Sequence, residues 1–279
     1  MKPTSIIFLV LSVLLAAGGV ALCYTAGNMA EKQEIPLYEQ TLDEDGNRIV
    51  SRDFTDDDIN RFRLDLRDTD VNIIGGADEC RVELINFPSN GYNLSSATKT
   101  VTVENSMGIL SGLKVTESGF RFSGLRHYLN ADTWSDDLPR TVNIYVSSAQ
   151  SLKKLDINLE RGSISVKDIT GSADFSFTLK SGDIVAENLR TESVFRFTGT
   201  GETNITLDNV QVGDMSVEAE NGDIAFNLTG YDYHSFKIVS SDGVTFSDMY
   251  KGMTYEHNGY IQDTVILLHT KDGSVVVGG

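Results

Sequence analysis

Cysteine is almost absent from this chain: two in 279 residues, Cys23 and Cys80. That excludes a small module held together by disulfides. Cys23 ends an apolar run and Cys80 lies in a strand-like stretch, so the two are not expected to pair. Nor does Cys23 read as a lipoprotein cysteine, because Leu22 stands where such signals carry Gly, Ala or Ser. Basic residues are scarce too. Lys and Arg total 23 against 40 Asp and Glu, a formal net charge of -17. Such a surface repels a phosphate backbone and excludes nucleic acid as a partner. The plain reading of the acidity is a solvated exterior.

Chemistry-bearing motifs are missing as well. The four histidines, His127, His234, His257 and His269, form no HxxxH or similar metal spacing. There is no G-x-S-x-G elbow, no phosphate-binding glycine loop and no dinucleotide fingerprint. No cofactor is expected. Helical periodicity is absent beyond the first two dozen residues, which leaves an all-β chain. At 40% hydrophobic and 9% aromatic, that chain still has enough apolar material for a buried core.

What is present begins with an uncharged run from Ile6 to Tyr24, after Lys2. At about 1.5 Å per residue a helix of this run is about 30 Å long, the hydrocarbon thickness of a bilayer. Residues 1–24 therefore read as a transmembrane signal anchor, with a cleaved signal peptide ending near Thr25-Ala26-Gly27 as the alternative. Both place the amino terminus on the cytoplasmic side and the rest of the chain outside. Residues 25–52 turn polar and read as a linker with a small hairpin at Asp45-Gly46. The stretch DEDGN resembles the start of a calcium loop, but the twelfth position from Asp43 is Phe54, so a turn is the expectation.

Further on, six glycines mark a repeat: Gly162, Gly182, Gly201, Gly222, Gly243 and Gly273, spaced about twenty residues apart with a longer last interval. Before each turn, apolar residues alternate at every second position. Leu155, Ile157 and Leu159 precede Gly162; Phe175, Phe177 and Leu179 precede Gly182; Met215, Val217 and Ala219 precede Gly222. After the glycine the alternation resumes, as in Ile164 and Val166, Ile184 and Ala186, Ile224 and Phe226, and Val275 and Val277. The two sets sit at odd and even offsets, so a flat strand would point them to opposite faces. The chain must therefore turn a corner at the glycine. A short period with several strands per unit predicts a β-solenoid (β-helix-like) of roughly 20-residue coils over 151–279. Around Gly201 and after Gly243 the pattern slips by one or two residues. Residues 53–150 alternate less regularly (Phe62, Leu64, Leu66, Val71, Ile73, Val82, Leu84) and read as entry coils that cap one end.

The run FRLDLRDTDVNII, then VNIYV and LKKLDINLERGSISV, then the SGDI and NGDI turns, resembles a bacterial domain family of unknown function that bears the name "putative adhesin". The resemblance covers Phe62 to Gly279. It implies an exported or membrane-anchored β-strand-repeat scaffold with no established enzymatic activity.

Two places are candidates for more than scaffolding. Asp183 and Asp223 follow equivalent turn glycines two coils apart, and paired carboxylates can hydrolyse glycosides. The same residues are ordinary turn formers beside glycine, which is the preferred reading. The other is the irregular segment 123–139. It carries the sole tryptophan, and His127, Tyr128, Asp132, Trp134, Asp136 and Asp137 make it aromatic and acidic. It reads either as a cap on the solenoid end or as a binding loop on a rigid scaffold. The expected function is a non-enzymatic, membrane-anchored extracytoplasmic scaffold for envelope interaction or adhesion, with a protein or polysaccharide partner. A carbohydrate-active β-helix enzyme and a sensory ectodomain are the alternatives.

Overall fold

The computed structural model describes residues 19, 40–54, 59–87, 93–97, 99–105, 113–116, 119–122, 138–147, 152–227, 234–246, 250–257 and 261–278. The chain divides into a leading unit, Met1–Glu39, and a β unit, Gln40–Gly279. Among the described residues no helix is long and apolar enough to cross a membrane. Apart from residue 19, the expected anchor lies outside them.

The strands ahead of the regular repeat are β1 (Gln40–Leu42), β2 (Arg48–Phe54), β3 (Arg61–Leu66), β4 (Asp70–Ala77) and β5 (Cys80–Ile85). They are followed by β6 (Asn93–Ala97), β7 (Thr100–Glu104), β8 (Leu113–Thr116), β9 (Gly119–Phe122) and β10 (Thr141–Ser147). The repeat comprises β11 (Lys154–Arg161), β12 (Ile164–Lys167), β13 (Thr170–Gly171), β14 (Asp174–Thr191), β15 (Val194–Gln211), β16 (Asp214–Asn221) and β17 (Ile224–Asn227). It ends with β18 (His234–Phe246), β19 (Tyr250–His257), β20 (Ile261–Asp272) and β21 (Ser274–Gly278).

Each coil runs along one face, turns a corner and continues along a second. On the first face β7, β3, β11 and the first halves of β14 and β15 stack in parallel, followed by β16. On the second face β10, β4, β12, the later parts of β14 and β15, then β17 do the same. Like side chains lie over like: Ile157 on Phe177, Phe177 on Phe197, Phe197 on Val217. The residues expected to point inward on both sides of the corner are buried, including Leu155, Ile157, Leu159, Ile164 and Val166 in the coil at Gly162. This is an all-β, solenoid-like domain.

Parallel stacks leave raw edges at their ends, and this chain closes both with antiparallel strands. At the entry end β6 pairs against β7, while β5 pairs against β10 and β2 against β5. At the far end β19 pairs against β18 across both faces. An antiparallel strand with polar and charged residues, such as YKGMTYEH, is a poor template for further stacking. The β1–β2 hairpin turns at Gly46, whose φ is +81°, and Asp43 Oδ1 accepts hydrogen bonds from Asp45 N and Asn47 N. DEDGN is thus a turn. The polar stretch 40–52, expected as linker with a small hairpin at Asp45-Gly46, forms that hairpin from β1 and the start of β2, within the β unit. An outermost hairpin buries little, and of β2 only Val50 is buried.

The stack does not follow chain order. β20 pairs with β16 on one side and β18 on the other, and β21 lies between β17 and β18 in the same way. The last strand pair is therefore intercalated between two earlier coils.

Candidate interaction surface

The corners place the polar side chains most suggestive of chemistry. Gly162, Gly182, Gly222, Gly243 and Gly273 all have φ between +132° and +151°, as a turn made by glycine requires. Gly201 differs. Its neighbours in register show Gly182 beside Thr203, so Gly201 stands two residues before the corner, and this coil carries one extra residue there. Thr203 fills the corner with a buried hydroxyl, Oγ1, that has no hydrogen-bond partner.

Immediately after the corner, side chains from successive coils are bonded to one another. Asn204 Nδ2 donates to Asp183 Oδ1 at 3.1 Å, Asp223 N donates to Asn204 Oδ1 at 3.2 Å, and Ser274 N and Oγ donate to Asp223 Oδ1 at 2.7 and 2.8 Å. Asp183 and Asp223 are thus separated by an amide that bonds to both coils. They do not form a carboxylate pair facing a common substrate. The bonds from Ser274 hold the Asp223 carboxyl below its ordinary pKa of 3.8. A depressed folded-state pKa stabilises the fold above the unfolded value, and that contribution disappears as pH falls through the folded value. Between about pH 5 and about pH 3 the melting temperature should therefore fall faster in the parent than in Asp223→Asn, as measured by thermal scans across that range.

A second ladder runs where each coil leaves its second face. Asp168, Asn188 and Asn209 all adopt φ between +50° and +56°, a region Asx residues tolerate. Asn209 Nδ2 donates to Asn188 Oδ1 at 2.8 Å and Asn188 Nδ2 to Asp168 Oδ1 at 2.9 Å. On the entry strands Asn72, Asn143, Glu83 and Tyr145 form a comparable chain. Tyr145 OH donates to Glu83 Oε2 at 3.1 Å, and the Arg81 guanidinium lies 4.7 Å from the Tyr145 ring centre. Arg81 Nε is 3.1 Å from Glu83 Oε1, but its N–H does not point at that oxygen, so the contact is one of charge alone. Burial, then the Glu83 charge, raises the Tyr145 phenol above its ordinary value and keeps it a neutral donor.

Among the described residues no three His, Cys, Asp or Glu side chains gather to hold a metal. His127, Tyr128, Asp132, Trp134, Asp136 and Asp137 lie outside the described residues. The roots of the long connection that carries them are described, and both are fastened to one corner. Asn105 N donates to Asp65 O, Arg67 N donates to Asn105 Oδ1 at 2.6 Å, and Asp70 N donates to Arg140 O at 2.9 Å. Asn86 Nδ2 adds a bond to Pro139 O at 3.0 Å. The connection between β7 and β10 thus leaves and rejoins the stack beside the first corner, which sequence spacing could not reveal. Asn86, a buried residue at φ +58°, also went unrecognised because a lone asparagine has no sequence signature.

That corner is tied to the next coil by reciprocal ion pairs: Arg67 to Glu160 at 2.6 Å and Arg161 to Asp68 at 2.5 Å. The partners Arg67 and Glu160 are 93 residues apart in sequence. The repeating corner, the parallel stack and the strand alternation coincide with a match to the Toastrack DUF4097 family model over residues 59–247. The chain belongs to the Toastrack DUF4097 family. In Toastrack terms, the match spans β3 to the end of β18 and stops before β19. No curated protein matches this Toastrack chain. Among solved structures, it is similar to a "putative cell adhesion protein" of Clostridium sporogenes, at 12% identity and a TM-score of 0.43, with 83% of this chain and 99% of that one covered. A "putative adhesin" of Parabacteroides distasonis gives 12% identity and a TM-score of 0.21, with 82% and 96% covered. At these values neither likeness bears on fold or function.

Proposed function

We propose that this Toastrack chain is a non-enzymatic interaction scaffold of the cell envelope, anchored in the membrane by residues 1–24 with its β unit outside. One observation carries the reading: the repeated outward carboxylates and amides bond to each other along the stack instead of converging on a groove. A hydrolase needs carboxyl groups left free to exchange protons with a substrate. A scaffold needs a rigid frame and a segment that departs from it. Here that segment is 123–139, part of the connection between β7 and β10 whose two roots, at Asn105 and Arg140, are held by the first corner, and its partner is an envelope protein or polysaccharide.

The test is Trp134→Ala in the full-length chain, with melting temperature and binding to intact envelope preparations measured together. The scaffold reading expects binding to fall at least about tenfold, about 1.4 kcal/mol, with the melting temperature unchanged. A large loss of stability with binding intact would assign Trp134 to the solenoid end and remove the segment as a recognition element. Turnover on a glycan panel would reinstate the enzyme.

A further inference from the structure

The outermost strand at the far end is β19, Tyr250–His257, which lies beyond the residues matched by the family model. Among the described residues it pairs with β18 alone, antiparallel. Alternate backbone N–H and C=O groups of such a strand point along its other edge, where a further strand can add. β19 turns the same corner as the coils. Tyr255 and His257 stand opposite the buried Ile238 and Phe236 on one arm, and Gly252 and Tyr250 opposite the buried Val244 and Phe246 on the other. Core-side positions are therefore odd-numbered on one arm and even-numbered on the other, with Met253 at the corner between them. Lys251, Thr254 and Glu256 point outward and are exposed.

That slip at the corner makes the strand complementary to itself. Laid antiparallel on a second copy in full overlap, Tyr250 meets His257, Lys251 meets Glu256, Gly252 meets Tyr255 and Met253 meets Thr254. On both arms core-side residues then face core-side residues, and outward residues face outward ones. A shift of one residue would set Lys251 against the core-side Tyr255 and break the match. The charges agree with the full overlap. Lys251 stands opposite Glu256 twice, once on each side of the twofold axis, and Glu256 already neighbours Lys237 on β18. The outward column thus alternates in sign, Lys237, Glu256, Lys251, the favourable order for cross-strand neighbours. On the core side Tyr255 is stacked on Phe246 at 4.1 Å and lies 5.1 Å from Tyr250, so the overlap extends an existing aromatic patch. It also covers Met253, a large apolar side chain that is 54% exposed. The charges that make β19 a poor template for an unrelated strand are matched by its own copy.

We propose that β19 is a self-recognition edge, through which two copies of this chain join end to end as a twofold dimer by antiparallel β19–β19 pairing. The interface is isologous, so each contact occurs twice. Main-chain hydrogen bonds along the added strand supply affinity, and the Lys251–Glu256 pairs fix the register. The association uses the β unit alone and does not rest on the anchoring of residues 1–24.

The test is charge reversal in the full-length chain, with association measured by sedimentation in detergent and reducing agent over a range of concentrations. The parent is expected to form a dimer that grows with concentration. Lys251→Glu and Glu256→Lys each set like charges opposite one another twice and should weaken the dimer about tenfold or more. Two samples should recover it: the K251E/E256K double variant with itself, and an equimolar mixture of the two single variants. Both restore opposite charges at every contact. Melting temperatures equal to the parent's would show that the exposed substitutions leave the fold intact, and the recovery in the double variant and the mixture checks this independently. A parent that stays monomeric at every concentration overturns the proposal. So does a dimer that both single variants form as strongly as the parent, which would place the contact on another surface. Weakened single variants with no recovery in the double variant or the mixture would overturn the full-overlap register.

Discussion

Gly182→Ala should cost this fold about 3–5 kcal/mol, whereas Gly46→Ala should cost about 1 kcal/mol. Both glycines have positive φ, +133° and +81°. Their surroundings separate them. A Cβ on Gly182 would stand 1.9 Å from the carbonyl oxygen of Gly162 in the neighbouring coil, while nothing lies within 4 Å of one on Gly46. Backbone strain is common to both variants. The steric conflict is confined to Gly182, and the atom it meets is backbone, which cannot swing aside as a flexible side chain does. Relief requires the coils to separate, and separation breaks parallel hydrogen bonds on both faces. Urea unfolding of the two variants beside the parent measures the difference. Equal losses would show that the corners are looser than the stacking distances imply.

Phe177→Ala should be of similar size, about 3–5 kcal/mol, and lower the melting temperature by roughly 10 °C. Phe177 is fully buried, with ring centres 6.0 Å from Phe175 and 5.7 Å from Phe195, edge to face in both cases. Deleting the ring removes its transfer free energy and its two aromatic contacts, and it leaves a void the rigid stack cannot close. Collapse would mean bringing coils on both sides closer than strand spacing allows. Phe177→Leu should recover more than half the loss, and calorimetry on the two variants decides it. A loss below about 1 kcal/mol for Phe177→Ala would mean that this layer is free to relax.

Much of the fold was legible in the alternation of apolar residues. Phe175, Phe177 and Leu179 before one corner, and Ile184 and Ala186 after it, specify two buried faces and a turn with no reference to anything distant. Side-chain periodicity is a local property of the backbone, so a sequence reports it directly. The same locality misplaced one corner: the alternation slips at Gly201, but the slip could not show that the register belongs to Thr203, because pairing is set by both neighbouring coils. In residues 40–52 the hairpin at Asp45-Gly46 was legible, but not that β2 pairs with β5 as well as with β1: an outer strand buries little, and its composition resembles that of a linker.

The candidate site was less legible. A carboxylate after a turn glycine looks the same whether it faces a substrate or an amide above it. Only stacking showed Asn204 standing between Asp183 and Asp223. The roots of the connection between β7 and β10 were equally hidden, since Asn105 and Arg140 meet through the corner of a different coil, at Asp65, Arg67 and Asp70.

The sequence by itself determined that this protein is all-β, that its coils turn at glycines, and which residues face the core, because strand period and backbone freedom are fixed residue by residue. Tertiary structure alone decided the order of the coils. β20 and β21 slip between β17 and β18, where Thr270 meets Gly222 and Ser274 meets Asp223, and such contacts exist only once two coils distant in the chain lie side by side.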